Sequence, residues 1–463
     1  MKPSASNFVS ILDRSAILDS PTDLQFYGRD ACPEFEPDPS IVLLPKTAGQ
    51  VQEIVKLCAR EKWSIVPSGG RTGYSGGATA TNREIVLSLT QLHSIDAVDE
   101  IEGTLRCGAG IATQTAIDAA AARGFLFPLD LASKGSSQIG GNLATNAGGI
   151  RVIRYGNVRD WVRGLKFVTA EGDLIDTGSR LVKNQSGYDL RHLLIGSEGT
   201  LGIIAEATLR LTAPSADTFV ALLAVEQSGE ALEFLRRMRS KGFTINVFEF
   251  FERNALELVM ARFGKRDPFS ASAGAYLLIE LEAASPATRE QFEALAQESC
   301  ADGTILDAVF GASKAQSTEL FSLRELISES IAKSALAHKH DISLPIREIS
   351  KFLVALRSLM EQLAADFQLV VFGHLGDGNI HLNVLKPKSL EPAAFKTRCV
   401  ALDRSVFKLV QSFGGSISAE HGVGLLKRDY LSFTRSPAEL ALMREIKSRF
   451  DPRGIFNPGK VLT

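Results

Sequence analysis

The run Ile41 to Leu44 is solidly apolar and closed by Pro45, a pattern that predicts a buried strand. Thr47 followed by Gln50 is a capping-box pattern. Val51, Ile54, Val55 and Cys58 then fall on one face of the helix that this cap starts. "SIVP" predicts a second strand, and a glycine loop follows it. Such a β-α-β-loop unit presents backbone to a ligand. The next segments repeat the theme. "TLRCGAGI" predicts a strand, and "ATQTAIDAAAARG" a helix that stops at Gly124. "LKFVTAEGDLIDTG" predicts a hairpin turning at Glu171 and Gly172, and "TLGIIAEATLRLT" alternates into a strand ending near Thr212.

The glycine-rich character stops around residues 213–215. Beyond it, strands such as "FVALLAV" and "AYLLIELE" alternate with amphipathic helices such as "GEALEFLRRMRSKG". A chain of 463 residues exceeds one compact core. The pattern therefore predicts an N-terminal segment (1–36), a ligand-binding α/β domain (37–214), an α+β domain (215–400) and a C-terminal helical segment (401–463).

Composition narrows the function classes. Hydrophobic residues make up 45% and charged residues 22%, with a formal net charge of −2, which favours neither nucleic acid nor an anionic membrane. No apolar run reaches the length of a transmembrane helix, and the first twenty residues read as neither signal nor transit peptide. Cys32, Cys58, Cys107, Cys300 and Cys399 contain no C-x-x-C pair, which points to a reducing, cytoplasmic setting.

Two stretches concentrate glycine: "GGRTGYSGG" (69–77) and "GSSQIGGNLATNAGG" (135–149) hold ten of the 39 glycines. Glycine serves where backbone must approach a ligand closely, and successive glycine N–H groups make an anion-binding concavity. Two such loops after α/β units predict a bound phosphate ester. Neither is a G-x-G-x-x-G opening a helix, and there is no P-loop, so a nicotinamide fold and a P-loop nucleotidase are disfavoured.

A second constellation lies further on. "VVFGHLGDGNIHLNV" predicts a hairpin turning on Gly-Asp-Gly, with His374 and His381 across from one another. Two imidazoles and one carboxylate make an open catalytic metal shell. Glu420 in "SAEHG" is the candidate carboxylate, which leaves His421 for proton transfer. Spacing alone fits hydrogen-bonded core histidines as well as a metal shell.

"PSGGRTGYSGGA", "PLDLASKGSSQIGGNLATNAGG", "NQSGYDLRHLLIGSEGTLGIIAEATLRL" and the terminal "NPGK" together resemble the flavin-binding domain of the vanillyl-alcohol-oxidase or p-cresol-methylhydroxylase type. The resemblance implies an α+β fold: a two-subdomain FAD-binding domain, an α+β substrate (cap) domain and a C-terminal helical segment. It implies FAD contacts from Pro67, Ser68, Gly69, Gly70, Arg71, Thr72, Gly73 and Ser75. It adds Pro128, Ser137, Gly140, Gly141, Asn142, Ala144, Thr145, Asn146 and Gly148, then Glu198, Gly199, Gly202, Ile203, Ile204 and Asn457. Members with covalent FAD attach it to a histidine in the first loop; this loop has none, which implies noncovalent FAD.

The histidine segments are similar to the D-2-hydroxyacid dehydrogenase branch, which includes D-lactate and D-2-hydroxyglutarate dehydrogenases. The similarity runs from about residue 25 to 460. It implies His374, His381 and Glu420 as ligands of a divalent metal, zinc first, with manganese, cobalt or iron as alternatives. It implies His421 as the base, with hydride transfer to flavin. "LRE" followed by "KHDISLP" resembles the D-2-hydroxyglutarate enzymes, and implies that Arg324, Ser328, Lys339 and Asn383 bind substrate. The expected substrate is D-2-hydroxyglutarate, with D-lactate, D-malate or glycolate as alternatives. An electron-transfer flavoprotein, quinone or cytochrome would take the electrons, and a homodimer is expected. A metal-dependent hydrolase without flavin, or a flavin subunit that only passes electrons, are the competing classes.

Overall fold

The computed structural model describes residues 3–178, 181–215, 217–283 and 285–462. The chain divides into two compact units. Unit 1 comprises Met1–Gly149, Gly156–Pro214 and Glu420–Thr463; unit 2 comprises Ile150–Tyr155 and Ser215–Ala419. The last stretch of chain thus belongs with the first unit.

Unit 1 holds two four-stranded sheets. The first contains β1 (Ile17–Leu18), β2 (Ile41–Leu43), β3 (Ile65–Ser68) and β4 (Ile85–Ser88), in the order β1-β2-β4-β3. β2, β4 and β3 run parallel. The helix Ala48–Glu61 connects β2 to β3, capped by the Thr47 side chain, which accepts from Gln50 N–H. Its face of Val51, Ile54, Val55 and Cys58 is buried against these strands. Each such side chain contributes about 1.5–3 kcal/mol by leaving water. β3 ends at Ser68, so the 69–77 glycine stretch leaves the carboxyl end of a parallel strand, where ligands of open α/β sheets bind. The terminal segment closes the edge: Ile65 N–H donates to Ile455 O, and Asn457 N–H to Ile65 O, each at 2.7 Å.

The second sheet contains β5 (Thr104–Gly108), β6 (Val162–Val168), β7 (Leu174–Asp176) and β8 (Ile203–Arg210), in the order β5-β8-β6-β7. All its pairs are antiparallel. The β6–β7 connection contains Glu171 and Gly172, the latter at φ 87°. The second glycine stretch is only partly a loop: Ile139–Thr145 is a short helix that contains Gly140 and Gly141. Glycine is a poor helix former, but a Cβ on Gly140 would stand 2.6 Å from the Ala109 Cβ. The helix is pressed onto the chain just beyond β5, and packing overrides propensity.

Unit 2 is built on a seven-stranded antiparallel sheet: β9 (Thr218–Val225), β10 (Ile245–Glu252), β11 (Ala275–Glu282), β12 (Asp307–Phe310), β13 (Ala337–Ser343), β14 (Gln368–His374) and β15 (Asn379–Leu385). The order is β12-β9-β11-β10-β14-β15-β13. Both faces are covered, which explains why β10 and β11 are buried almost throughout. One face packs on the helices Ser228–Ser240, Pro286–Ala301, Ile349–Ala364 and Pro392–Ser412, through Phe234, Phe292, Phe352 and Val406 among others. The other packs on Arg253–Phe263, Lys314–Glu325 and Ile327–Ser334.

The close approach at Gly140 makes a test. Gly140→Val should lower stability by about 1–3 kcal/mol through overpacking, read as a fall in the urea or thermal midpoint. An unchanged midpoint would show that the helix can move away from Ala109.

Candidate active site

In unit 1 the glycine stretches line a cleft that opens to solvent. Their backbones touch: a Cβ on Gly70 would stand 2.1 Å from the Ser136 carbonyl oxygen. Only glycine fits there. Arg71 takes φ 57° and lays its guanidinium over the rings of Phe26 and Tyr27, at 4.3 and 4.8 Å. Desolvation holds its pKa below the ordinary arginine value. Asp30 fixes the far side of the loop, accepting from Cys32 N–H, Ala78 N–H and the Thr79 hydroxyl.

The cleft lining includes Pro67 to Gly73, Ser75, Gly140 to Asn142, Ala144, Thr145, Glu198, Gly199, Gly202 to Ile204, and His421. Pro128, Ser137, Asn146, Gly148 and Asn457 lie off the lining. Three of these hold the walls instead. The Ser137 hydroxyl bonds to that of Thr113. Asn146 ends the short helix in the left-handed region. The buried Asn457 amide donates to the carbonyls of Gly77 (2.9 Å) and Glu198 (2.7 Å). Asp30, Leu89, Ala109, Gln138 and Ser197 also line the cleft and were not anticipated; apart from Gln138, they lie outside the glycine stretches that drew attention.

The groups present suit a nucleotide cofactor. Ser68 Oγ and Gln138 Oε1 are shielded from water and have no hydrogen-bond partner among the described residues. Buried polar atoms normally have partners, so a polar ligand in the cleft would satisfy them. A Cβ on Gly141 would meet nothing within 4 Å, which leaves the helix open to the cleft at that point.

His421 is held over one end of this cleft by backbone bonds. The Ser75 hydroxyl donates to the His421 and Gly422 carbonyls, at 2.9 and 3.1 Å. The Glu198 carboxylate accepts from Val423 N–H and Gly424 N–H, both at 2.8 Å. Burial, the largest influence, pushes the Glu198 carboxyl above its usual range against the pull of these donors. The His421 ring lies 5.3 Å from that of Tyr74, and its Nε2 is 3.6 Å from Glu420 Oε1.

Unit 2 carries the other polar constellation. His374 pairs in register with Asn379, and His381 with Phe372. The two histidines are therefore diagonal rather than directly opposite, because the turn adds one more pair than the hairpin reading allowed. They still share a face, with ring centroids 5.4 Å apart. Lys339 faces Asn383 across β13–β15, and Asp341 faces His381. Register places all of these on one side of the sheet.

Two carboxylates of this face were missed in the sequence. Glu249, fully buried in β10, bonds to His374 Nδ1 at 2.6 Å and pairs with Arg324 at 2.7 Å. Asp341 lies 3.8 Å from His381 Nδ1 and accepts from the Asn379 amide and Ala419 N–H. An acidic residue in the middle of the apolar "INVFEFF" was the available signal for Glu249.

Arg324 and Ser328 do not share one helix. The helix Lys314–Glu325 ends and Ile327–Ser334 begins on either side of Leu326. Arg324 is buried, its guanidinium 4.7 Å from the Phe372 ring centroid, while Ser328 is exposed. Arg324 Nε and Asn383 Nδ2 are buried and without a hydrogen-bond partner among the described residues. Lys339 reaches solvent, yet the protein around its stem desolvates the ammonium and lowers its pKa.

Residues 39–178 match the FAD binding domain family, and residues 215–461 match the C-terminal domain of FAD linked oxidases. The chain is 42% identical over 452 residues to the D-2-hydroxyglutarate dehydrogenase of Stutzerimonas stutzeri, covering 98% of this chain and 97% of that protein. It is 45% identical over 442 residues to the enzyme of that name from Xanthomonas citri pv. viticola, covering 95% and 93%. The mitochondrial D-2-hydroxyglutarate dehydrogenase of Arabidopsis thaliana is 36% identical, with 99% of this chain and 81% of that one covered. In fold, p-cresol methylhydroxylase superposes with a TM-score of 0.79 at 17% identity, covering 99% and 96%. Fold and cleft thus define a flavin-dependent oxidoreductase. The chain belongs to the FAD-linked oxidase family, as an FAD-dependent dehydrogenase of its D-2-hydroxyacid branch.

Glu249 gives the test of the buried network. Glu249→Ala would leave the Arg324 guanidinium buried without its counter-charge, at a cost of about 3–5 kcal/mol. A matching fall in the denaturation midpoint is expected; a loss below about 1 kcal/mol would show that Arg324 reaches water when released.

Proposed function

We propose that the protein oxidises D-2-hydroxyglutarate to 2-oxoglutarate with noncovalently held FAD and a divalent metal. The observation that carries this reading is the polar face of the unit 2 sheet, in a chain closely similar over its length to enzymes named for that substrate. His374, His381 and Glu420 would hold the metal. The donor set fits: Glu249 fixes His374 through Nδ1, the carboxylate–imidazole pairing typical of ligating histidines. Two imidazoles and a carboxylate suit zinc, and also manganese, cobalt or iron.

When bound, FAD supplies the two-electron acceptor, and the metal supplies a Lewis acid for the substrate's oxygens. The chain's residues do the rest. Arg324 and Asn383, with their unpartnered buried donors, give charge-assisted or neutral hydrogen bonds to the carboxylates, and Lys339 and Ser328 extend that recognition. A diacid satisfies these groups, whereas a monoacid such as lactate leaves some unpaired, which costs binding. His421 accepts the C2 hydroxyl proton at an imidazole nitrogen. Its backbone anchors on Ser75 and Glu198 keep that ring from swinging away.

Electrons would pass onward to an electron-transfer flavoprotein, a quinone or a cytochrome, and the enzyme would work as a homodimer. No helix among the described residues is long and apolar enough to cross a membrane. Four of the five free cysteines are buried, in keeping with a reducing cytoplasm.

His374→Ala and His381→Ala should each lose metal and activity yet keep the yellow flavin, as read by metal analysis beside the absorbance spectrum. Metal retained in either variant contradicts the ligand set. His421→Asn should keep flavin and metal while kcat falls about 10²- to 10⁴-fold; an unchanged kcat would remove His421 as the base.

A further inference from the structure

β13 presents a second constellation on its other side. Residues alternate across a strand, so Lys339 and Asp341 share one face while His338 and His340 share the opposite one. That opposite face meets the helix Pro392–Ser412, which supplies Asp403. His338 Nε2 lies 2.6 Å from Asp403 Oδ1, and His340 Nε2 lies 2.7 Å from the same oxygen. The imidazoles stand nearly perpendicular, at 81°, with centroids 4.9 Å apart. The ring of Phe407, one helical turn beyond Asp403, packs edge-on against His340 at 5.4 Å. His340 is buried, and the His338 side chain keeps 25% of its exposure. None of these residues has a part in the proposed reaction.

We propose that His338, His340 and Asp403 form a second binding site for a divalent transition-metal ion. Three ligand atoms converge on one point, and no pair lies more than 4.8 Å apart. Two imidazoles and a carboxylate are the donor set that zinc, cobalt and nickel prefer over calcium or magnesium. Two histidines spaced i, i+2 on a strand present both rings to one side, and a single carboxylate on the facing helix completes the set. An ion with bonds of about 2.0–2.1 Å would part these atoms to about 3.3 Å, through an outward rotation of the partly exposed His338 ring and a small shift of the Asp403 carboxylate away from His340. It would displace the protons now shared between the imidazoles and the carboxylate. The exposed side of His338 leaves a coordination position for water. An ion here would bind β13 to the helix Pro392–Ser412 directly behind Lys339.

The test uses FAD-loaded full-length protein, stripped of metal with a chelator and then titrated with Co²⁺ alone. Bound metal and the visible cobalt absorption are both read. The wild type should bind two equivalents tightly. His338→Ala and Asp403→Asn should each bind one, with affinity for the other lowered at least a hundredfold. His374→Ala should also bind one, and the His338→Ala/His374→Ala double variant none. An unaltered thermal midpoint and far-UV circular dichroism establish that each variant is folded, and the partly exposed position of His338 makes that truncation mild. The proposal is overturned if His338→Ala and Asp403→Asn bind as much cobalt as the wild type, or if a single wild-type equivalent is lost only in His374→Ala. A single equivalent lost only in His338→Ala would support this site and contradict the proposed catalytic metal instead.

Discussion

The Glu198 carboxylate is the point on which unit 1 turns. It is half-buried in the cleft wall, at φ 51°, in the turn that leads into β8. Its two oxygens take the N–H groups of Val423 and Gly424, its carbonyl takes the Asn457 amide, and its own N–H donates to Ala144. One residue therefore joins the helix that floors the cleft, the terminal segment and the loop that carries His421. Burying a carboxylate is expensive, and the raised pKa records that cost. The two backbone donors offset it only while the 420–424 segment stays in place, so the position of His421 is linked to the integrity of the cleft wall.

Unit 2 solves a similar problem with Glu249. The carboxylate sits between a guanidinium and an imidazole, fully buried in β10. An isolated charge there would be untenable. As a bridge, it orients His374 through Nδ1 and holds Arg324 against Phe372. The sheet's other face is largely apolar, but near β13 it gathers His338, His340 and Asp403. A single strand thus separates two polar constellations by the alternation of its side chains alone.

Local elements were legible where periodicity and caps agreed. The Thr47 cap, the buried face from Val51 to Cys58 and the hairpin between β14 and β15 could be found from residue order. The register of that hairpin could not, because Gly-Asp-Gly marks a turn without fixing how many pairs precede it. Gly140 and Gly141 pointed to a loop but lie in a helix, since only contact with Ala109 explains glycine there. Arg324 and Ser328 lie four residues apart in the sequence, yet the break at Leu326 puts them in two different helices. Glu249, Asp341 and Asp403 reach their partners across distant strands and a helix, and such partnerships leave little trace in a linear sequence. His338 and His340 stood in plain view in "AHKHD", but only the neighbouring helix gives them a shared carboxylate.

The central claim is the proposed one, that the protein oxidises a D-2-hydroxydiacid at flavin. The most direct measurement is an anaerobic half-reaction of metal-analysed, FAD-loaded protein, mixed separately with D-2-hydroxyglutarate, its L-enantiomer and D-lactate. Rapid bleaching of the oxidised-flavin absorbance by D-2-hydroxyglutarate alone is the predicted result. Bleaching by D-lactate, and none by D-2-hydroxyglutarate, would contradict the account of Arg324, Lys339 and Asn383 as a diacid pocket.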